Sequence, residues 1–265
     1  MKIAIIIPAR FSSKRFPGKP LVNLRLPKGE KKSLIQLSWE VASKVNGVED
    51  VFVATDDIRI KAEAENFKAK VIMTRPECRN GTERCAEAVK KESLDHDIFI
   101  NFQGDAPLTP VGFVENLIKA ISLDSYAEVV TPVLNFDYIT YKSFMDDKKN
   151  NRIGGTTAVF DSLGNALYFS KAIIPFFIRE NVKPTFKFPL YHHVGLYAFK
   201  RNALLKYVNW KEGNLEKIEG LEQLRFLENG QPIKCIVQKC RNKNFWELNN
   251  PEDIIIIEKI LAKNT

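Results

Sequence analysis

Apolar and polar positions along this chain fall into blocks that predict strands and helices in alternation. Residues 3–7 form a continuous, mostly β-branched apolar run, which is typical of a central parallel strand buried on both faces. Further strands are predicted at residues 50–54, 70–73 and 97–102, and helices at residues 33–45, 59–67 and 82–91, the last with Thr82 as a candidate cap. The alternation predicts an α/β fold: a mostly parallel sheet with helices on both faces.

The pattern changes in the second half of the chain. Residues 128–134, 156–161 and 166–169 have the pattern of strands with short connections, which predicts a small antiparallel excursion. The remaining predicted elements are a strand at 194–199, a helix at 215–228 capped by Asn214, a strand at 234–237, and a helix at 251–263 with Asn250 as cap and Pro251 in first position. We expect one domain over residues 1–265, with an antiparallel subregion at about 128–200.

Residues 173–189 are rich in phenylalanine and proline. Two interpretations are open for this aromatic surface. Either a partner subunit covers it, or it packs as a local cluster on its own chain.

The composition is that of an ordinary globular protein. The chain has 265 residues, of which 45% are apolar and 27% charged, and this length can bury a substantial core. The N-terminal apolar run is too short for a signal peptide, and the run at residues 254–257 is far too short to span a membrane. We therefore expect a cytoplasmic protein with no membrane partner.

Cysteines and net charge narrow the function only slightly. The four cysteines, Cys78, Cys85, Cys235 and Cys240, lack the spacing of a zinc site, so reduced and partly buried thiols are the simpler interpretation. The net charge of +8 fits a phosphate-bearing substrate, but it does not distinguish one from nucleic acid or an anionic surface.

A basic loop at residues 8–20 follows the first predicted strand. Its four cations, Arg10, Lys14, Arg15 and Lys19, lie where open α/β sheets bind ligands, outside the carboxyl end of a strand. Such a loop can hold a triphosphate through charge-assisted bonds and backbone N–H groups. It matches neither GxxxxGK[ST] nor GxGxxG, which disfavours the common ATPase and dinucleotide sites. An exposed basic loop without a ligand is the alternative that charge alone would favour.

Several motifs follow one another in order along nearly the whole chain. They are IPARFSSKRFPGKPL at residues 7–21, VATDD at 53–57, NGTER at 80–84, NFQGD at 101–105, ALYFSK at 166–171, HVGLY at 193–197, LEKIEGLEQLR at 215–225 and NPEDI at 250–254. Together they resemble the 3-deoxy-manno-octulosonate cytidylyltransferase family, also called CMP-Kdo synthetases. So many motifs in order are far more specific than any one of them.

The resemblance implies a Rossmann-like, GT-A-like nucleotidyltransferase fold and a homodimer built through the antiparallel excursion. It also implies a reaction in which the anomeric hydroxyl of the sugar acid Kdo attacks the α-phosphate of CTP. The products would be CMP-Kdo, for lipopolysaccharide or capsule assembly, and pyrophosphate, with Mg²⁺ as cofactor. Nucleotidyl transfer depends mainly on positioning and charge neutralisation, which fits a loop of cations.

The same resemblance implies roles for residues near the phosphates. Ala9, Arg10, Arg15 and Lys19 would bind the nucleotide, and the cations among them would stabilise the departing pyrophosphate. Asp105 follows a predicted strand, where a single carboxylate suits a magnesium ion that keeps several waters. Considered alone, Asp105 has the features of a turn residue.

Other residues are assigned to the base, the ribose and the sugar acid. Residues implied to border cytosine and ribose are Asn80, Gly81 and Thr82, with Arg84 in support, and Gln103 is implied to contact the nucleotide. The sugar acid is assigned to Gln103, His193, Glu219 and Gln223. The last two are four residues apart and would share one face of the predicted helix. Without the resemblance, they are ordinary polar residues of an amphipathic helix.

Several positions depart from the family pattern. Asn249 replaces an aspartate that completes the metal site, and Glu247, two residues earlier, is an alternative ligand. Residues 154–157 replace a segment that normally contains a lysine, Ala106 replaces a typical glutamate, and the loop at 23–32 is longer. Because these changes lie partly around the sugar, the substrate is expected to be Kdo or a variant such as 8-amino-Kdo.

Three other functions stay open from the sequence. A cytidylyltransferase for a nine-carbon acid, of sialic or pseudaminic type, shares the basic loop, although residues 215–225 favour the Kdo branch. A glycosyltransferase would carry Asp-x-Asp after a strand, where this chain has Gln103, Gly104 and Asp105. A nucleic-acid-binding protein is suggested by charge alone, and the cations concentrate in one loop, so we expect no nucleic-acid partner.

Overall fold

The computed structural model of the chain describes residues 1–12, 16–150, 155–177, 182–239, 246–248 and 250–263. Its strands are β1 (Ile3–Ala9), β2 (Asn23–Arg25), β3 (Lys31–Ser33), β4 (Asp50–Thr55), β5 (Lys70–Met73), β6 (Ile98–Phe102), β7 (Val129–Asn135), β8 (Thr156–Phe160), β9 (Ala166–Ser170), β10 (Tyr191–His193), β11 (Leu196–Lys200) and β12 (Lys234–Gln238). Its α-helices are α1 (Leu34–Ala42), α2 (Ile58–Asn66), α3 (Gly81–Lys91), α4 (Val111–Leu123), α5 (Tyr138–Lys149), α6 (Arg201–Tyr207), α7 (Asn214–Glu219), α8 (Leu224–Glu228) and α9 (Asp253–Lys263).

The central sheet has the strand order β5-β4-β1-β6-β11-β7-β10-β8-β9, and β12 pairs in parallel with β7. Strand β1 lies between β4 and β6 and is parallel to both, while β5 is parallel to β4. The carboxyl ends of these strands therefore meet at one edge of the sheet, which is where ligands bind in open α/β folds. The predicted α/β architecture is confirmed.

Strand β1 is buried along its whole length, as its unbroken apolar run predicts. Ile5 and Ile7 belong to a core that includes α1 and α4, whereas Ala4 and Ile6 belong to a second core that includes α3 and α6. A fully buried isoleucine contributes about 1.5–3 kcal/mol, so both faces anchor this strand. The loop that follows β1 therefore begins from a fixed point.

The antiparallel strands extend the same sheet. Strand β11 is antiparallel to both β6 and β7, and β10, β8 and β9 continue in antiparallel pairs from the end of β7. Residues of β7 that pair with β11 (129–130) lie before those that pair with β10 (133–135). The sheet thus continues from the end of β7 through β10, β8 and β9, which form the antiparallel excursion predicted from the sequence.

The aromatic segment packs largely on its own chain. Phe188 is buried together with Phe136 and Phe144, and the partly buried rings of Phe177 and Phe186 stack with centroids 5.7 Å apart. Most of the predicted aromatic surface is therefore a local cluster. Phe176 is the exception, with 87% of its surface exposed.

The prediction of one helix over residues 215–228 is wrong. The chain forms α7 and α8, and Gly220 ends α7 with a left-handed φ of 60°. Glycine adopts this conformation without steric cost, so it stops the helix where the apolar spacing alone would continue it. Asn214 is the first residue of α7 and does not cap it, and Ile218 of the predicted apolar stripe is 80% exposed.

Two other helix starts were misplaced. The side chain of Asn80 caps α3, with Oδ1 accepting from the Glu83 N–H at 2.8 Å, and Thr82 lies inside the helix. Helix α9 begins at Asp253, so Asn250 and Pro251 lie in the turn that precedes it. In both cases the true helix start lies within two residues of the predicted one.

Residues 23–32 form more than the long loop expected from the sequence. Strands β2 and β3 pair there as a hairpin, with Leu24 opposite Lys32. Leu24 is fully buried with Leu34 of α1 and Ile257 of α9. The hairpin therefore ties the C-terminal helix to the segment that follows the basic loop.

Cysteine burial agrees with the sequence prediction. Cys78, Cys85 and Cys235 are free and buried, and Cys240 lies outside the described residues. Burial raises the pKa of the Cys78 thiol to about 12, which keeps it protonated and unreactive at neutral pH. In the described part of the chain, no helix is both long and apolar enough to cross a membrane.

Candidate active site

A cavity of about 800 Å³ opens at the carboxyl edge of β1 and β6. It is lined by the end of β1, the basic loop, the start of α3 and the residues after β6. Seven residues assigned from the sequence line it: Ala9, Arg10, Lys19, Asn80, Gly81, Gln103 and Asp105. The sheet topology therefore brings together residues that are nearly a hundred positions apart.

Lys19 and Asp105 form an ion pair across this cavity, between Nζ and Oδ2. Lys19 begins a single 3₁₀ turn, residues Lys19–Leu21, and Gly18 before it has a left-handed φ of 71°. Arg10 is exposed at the other side of the loop, with Nη1 donating to the Arg79 carbonyl at 3.2 Å. Lys14 and Arg15 lie outside the described residues.

Backbone pairing brings the C-terminal motif next to Asp105. The Leu248 N–H donates to the Asp105 carbonyl at 2.9 Å, so residues 247–248 run beside the metal ligand predicted from the sequence. A Cβ added to Gly195 would lie 3.9 Å from Glu247 Oε1 and 3.6 Å from Gln103 Cγ. The Glu247 carboxylate therefore lies near Gln103, which lines the cavity, although Glu247 itself is not among the lining residues. Asn249 lies outside the described residues.

The start of α3 approaches the strand ends very closely. A Cβ on Gly81 would lie 3.0 Å from Gln103 Nε2 and 3.2 Å from Asn101 Nδ2, so a larger residue would push the polar side chains apart. Asn80 Nδ2 donates to the Tyr207 hydroxyl at 2.9 Å. Together with its cap bond, this contact fixes Asn80 at the cavity wall.

Arg84 supports this wall from below. It is 2% exposed, and Nη1 lies 3.3 Å from Asp56 Oδ1 and also donates to Thr74 Oγ1. The ion pair joins α3 to the end of β4. Arg84 was expected to support the Asn80–Thr82 segment, and these contacts show how it holds α3 in place.

Glu222, which the sequence reasoning did not name, contacts two residues of the predicted site. Its Oε2 accepts from the Thr82 N–H at 2.9 Å, and its Oε1 lies 3.5 Å from Gln103 Nε2. Burial raises the pKa of the Glu222 carboxyl, against the opposing effect of the Thr82 N–H. Glu222 lies in the motif at 215–225, but the family resemblance was matched to Glu219 and Gln223, and the predicted helix placed those two on one face.

The residues assigned to the sugar acid are not gathered at the cavity. Glu219 holds the end of β9, with Oε1 accepting from Ser170 Oγ at 2.6 Å and Oε2 from the Lys171 N–H at 3.0 Å. Gln223 is buried, and its Nε2 has no hydrogen-bond partner in the part of the chain described. Their assignment to the sugar stays a prediction, and only Gln103 of the set lines the cavity.

His193 is buried in the sheet, where Nε2 lies 2.9 Å from Thr131 Oγ1. Thr131 Oγ1 donates to the Leu196 carbonyl at 2.8 Å, so it accepts from a neutral His193. The ring also packs against Phe169, with centroids 4.9 Å apart. Burial, with a smaller effect from neighbouring His192, lowers the pKa of His193 to about 3.

This depressed pKa predicts a loss of stability in acid. The unfolded chain binds a proton at His193 below pH 6.5, whereas the folded chain binds it only near its pKa of about 3. The stabilising contribution of the neutral His193 is therefore complete above pH 6.5, and it decreases as the pH falls from 6.5 towards about 3. At about pH 5, His193 alone is expected to cost about 2 kcal/mol relative to neutral pH. Urea unfolding of the wild type and of His193→Gln, at neutral pH and at about pH 5, measures this difference. An equal pH slope in both proteins would contradict it.

A buried ionic network lies behind Asn80. Arg225 is 1% exposed; its Nε and Nη2 donate to the two oxygens of Glu216 at 2.6 Å each, and its Nη1 donates to Glu83 Oε1 at 2.9 Å. Glu83 also pairs with Arg79, whose carbonyl accepts from Arg10. The network joins α3, whose start lines the cavity, to α7 and α8.

The cavity is chemically suited to anions and to a hard cation. Within the described residues, no three His, Cys, Asp or Glu side chains form a cluster that could hold a metal on their own. Magnesium commonly needs only one or two carboxylates, with waters and phosphate oxygens completing its shell. Asp105, with Glu247 in the adjoining segment, has the chemistry of such a site, and Arg10 and Lys19 place positive charge on the cavity wall.

The fold and this site define a nucleotide-binding transferase, and comparisons with known proteins specify which one. A family model described as cytidylyltransferase matches residues 4–238. The 3-deoxy-manno-octulosonate cytidylyltransferase of Maricaulis maris is 40% identical over 262 residues, which cover 99% of this chain and 98% of that protein. The 8-amino-3,8-dideoxy-manno-octulosonate cytidylyltransferase of Shewanella sediminis is 39% identical over 263 residues, covering 99% of both chains.

Structural comparison agrees. The structure of a CMP:2-keto-3-deoxy-manno-octonic acid synthetase in complex with CTP superposes with a TM-score of 0.82 at 31% identity, covering 100% of both chains. This chain belongs to the 3-deoxy-manno-octulosonate cytidylyltransferase family. The resemblance inferred from the ordered motifs is thereby confirmed.

Proposed function

We propose that this enzyme transfers CMP from CTP to the anomeric hydroxyl of Kdo or of its 8-amino variant, with release of pyrophosphate. The observation that carries the proposal is the convergence of Arg10, Lys19 and Asp105 on one cavity at the carboxyl edge of the sheet. Cations and a carboxylate at this edge suit a triphosphate and its metal ion. One relative is named for Kdo and another for 8-amino-Kdo, so both sugars stay candidates.

In the reaction, the anomeric oxygen forms a bond to the α-phosphorus of CTP. The bond from that phosphorus to the oxygen bridging to the β-phosphate breaks, and the hydroxyl proton passes to solvent. Negative charge accumulates on the leaving pyrophosphate. Arg10 and Lys19, which line the cavity, are placed to neutralise it, and Arg15 is proposed to join them.

A divalent cation, proposed as Mg²⁺, would be held by Asp105 with Glu247 or Asn249. It would supply charge neutralisation at the phosphates. Lys19 is already paired with Asp105, so it is positioned to exchange that carboxylate for a phosphate oxygen. The residues Ala9, Asn80, Gly81 and Gln103 then form the wall against which the nucleoside would bind, with Thr82 behind it.

The sugar acid is proposed to bind on the side of Gln103 that faces Glu222. Eight buried side-chain polar atoms lack a hydrogen-bond partner among the described residues, and two of them, Asn101 Nδ2 and Thr82 Oγ1, flank this side. Unpaired buried polar groups in native proteins often mark functional sites. Another of the eight, Gln223 Nε2, belongs to the residue that follows Glu222 in sequence. This surface is therefore our candidate for recognition of the sugar hydroxyls.

A turnover panel tests the proposal. The enzyme is incubated with Mg²⁺, CTP and, in turn, Kdo, 8-amino-Kdo, a sialic acid and a pseudaminic acid, and pyrophosphate release is followed. We expect release with one or both Kdo-type acids and none with the nine-carbon acids. ATP and UTP in place of CTP serve as the matched nucleotide controls. Absence of release with every acid would overturn the proposed reaction.

Homodimerisation and a cytoplasmic location stay predictions. Exposed Phe176, together with Leu167 on strand β9, gives apolar surface in the subregion where the dimer is expected. Light scattering on the purified chain measures the mass directly. A mass of one chain at micromolar concentration would contradict the dimer.

A further inference from the structure

The ring of Phe11, in the basic loop, contacts Arg59 and Gly18, and neither residue has a role in the proposed reaction. The Arg59 guanidinium carbon lies 3.3 Å from the ring centroid. A Cβ on Gly18 would lie 3.1 Å from two atoms of the same ring, so the glycine allows the ring to approach the backbone. Phe11 thus connects helix α2 to the far end of the basic loop.

Arg59 is itself held in a fixed orientation. Its Nε donates to Asp57 Oδ1 at 3.0 Å and its Nη2 to Asp57 Oδ2 at 2.7 Å, a two-pronged arrangement that also fixes the plane of the guanidinium. Asp57 Oδ1 accepts from the Arg59 N–H at 2.9 Å as the cap of α2. The Asp57 carboxylate neutralises the charge of Arg59 and leaves the guanidinium face free to lie over the aromatic ring.

The contacts continue from Phe11 to the catalytic lysine. The Gly18 N–H donates to the Phe11 carbonyl at 2.9 Å, which closes the two ends of the basic loop onto each other. The Gly18 carbonyl then accepts from the Leu21 N–H at 2.9 Å and so closes the 3₁₀ turn that begins at Lys19. Two consecutive backbone hydrogen bonds therefore connect Phe11 to the turn that begins at Lys19.

We propose that Asp57, Arg59 and Phe11 are positioning residues that hold the two described ends of the basic loop, residues 8–12 and 16–20, in the arrangement in which Arg10 and Lys19 bind the triphosphate. Phe11 lines the cavity, whereas Arg59 and Asp57 do not, so Arg59 acts through the ring and not on the substrate. The inference rests on the proposed function, because it assigns the triphosphate of CTP to this loop.

Arg59 is suited to a test because its side chain is 56% exposed, so its replacement leaves the core intact. We expect Arg59→Met to raise the KM for CTP by about 3- to 10-fold, as loss of a stacking contact of this kind predicts. The kcat and the KM for the sugar acid are expected to change less than about twofold. Lys61→Met on the same helix, where Lys61 lies 3.7 Å from Glu65, is the matched control and is expected to have wild-type kinetics.

Arg59→Lys separates stacking from charge. Lysine keeps the positive charge but cannot reproduce the two-pronged pairing with Asp57, so we expect it to behave like Arg59→Met. Restoration of the wild-type KM by lysine would show that charge alone acts, and would overturn the positioning role. In the background of Phe11→Leu, Arg59→Met is expected to add little further effect, because the two residues act in one chain of contacts.

A measurement made without substrate tests the positioning role independently of the proposed reaction. Hydrogen exchange of the Gly18 amide, which is bonded to the Phe11 carbonyl, is expected to be faster in Arg59→Met than in the wild type or Lys61→Met. If the wild type releases no pyrophosphate with any acid, the reaction proposal fails and this exchange result still stands. If the wild type is active but Arg59→Met matches it in both KM and exchange, the positioning inference is wrong.

Discussion

Asp105→Asn is expected to lower kcat by about a thousandfold, which is the order found when one strong electrostatic contact to a transition state is removed. The substitution keeps the size of the side chain and removes its charge, so the proposed metal ion loses its main ligand. It also removes the ion-pair partner of Lys19. Pyrophosphate release at saturating CTP and sugar acid measures the effect.

The fold should survive this change. Asp105 accepts from the Leu248 N–H through its backbone carbonyl, a contact that asparagine retains. Asp97→Asn is the control, because Asp97 precedes the same strand β6 at its opposite end, where it accepts from the Lys2 N–H at 2.8 Å. We expect wild-type kcat for the control and unchanged thermal unfolding for Asp105→Asn. Full activity of Asp105→Asn would remove Asp105 from the proposed metal site.

The parallel half of the fold was predictable because its signal is local. Residues 3–7 are apolar without interruption, and only a strand covered on both faces buries such a run. The polar residues after each strand then had to meet at one edge, whatever the details of the helices between them. This is why Lys19 and Asp105 could be placed at one edge from the strand pattern, whereas Asn80 was placed there by the family resemblance.

The sugar side was less predictable because its geometry depends on tertiary structure. The apolar spacing at 215–228 continues across Gly220, but the left-handed conformation of that glycine turns the chain. After the turn, Glu222 reaches the Thr82 N–H, whereas Glu219 faces Ser170. Periodicity does not encode which of two glutamates three positions apart contacts the start of α3 once the helix between them is interrupted. The family resemblance led to Glu219 and Gln223, and their assignment to the sugar acid stays a prediction.

The same segment carries the buried network of Arg225, which explains why it holds its position without a continuous helix. Arg225 joins Glu216 of α7 to Glu83 of α3 and also lies over the Tyr207 ring, with its guanidinium carbon 4.2 Å from the centroid. Burial alone would raise the pKa of Glu83, but Arg79 and Arg225 outweigh it and hold that pKa below its ordinary value. The two arginines therefore favour the charged form of the Glu83 carboxyl.

Arg225→Met is accordingly expected to lower the free energy of unfolding by about 3–5 kcal/mol, since it leaves Glu216 as an uncompensated buried charge. Urea unfolding at neutral pH measures the change, and Lys217→Met, at an exposed position of α7, is the matched control expected to stay within about 0.5 kcal/mol of the wild type. The double variant Glu216→Gln with Arg225→Met also removes the unpaired Glu216 charge, so it is expected to recover part of the lost free energy of unfolding. If the double variant is less stable than Arg225→Met alone, unpaired charge is not the cause. The destabilisation would then come from lost packing against Tyr207.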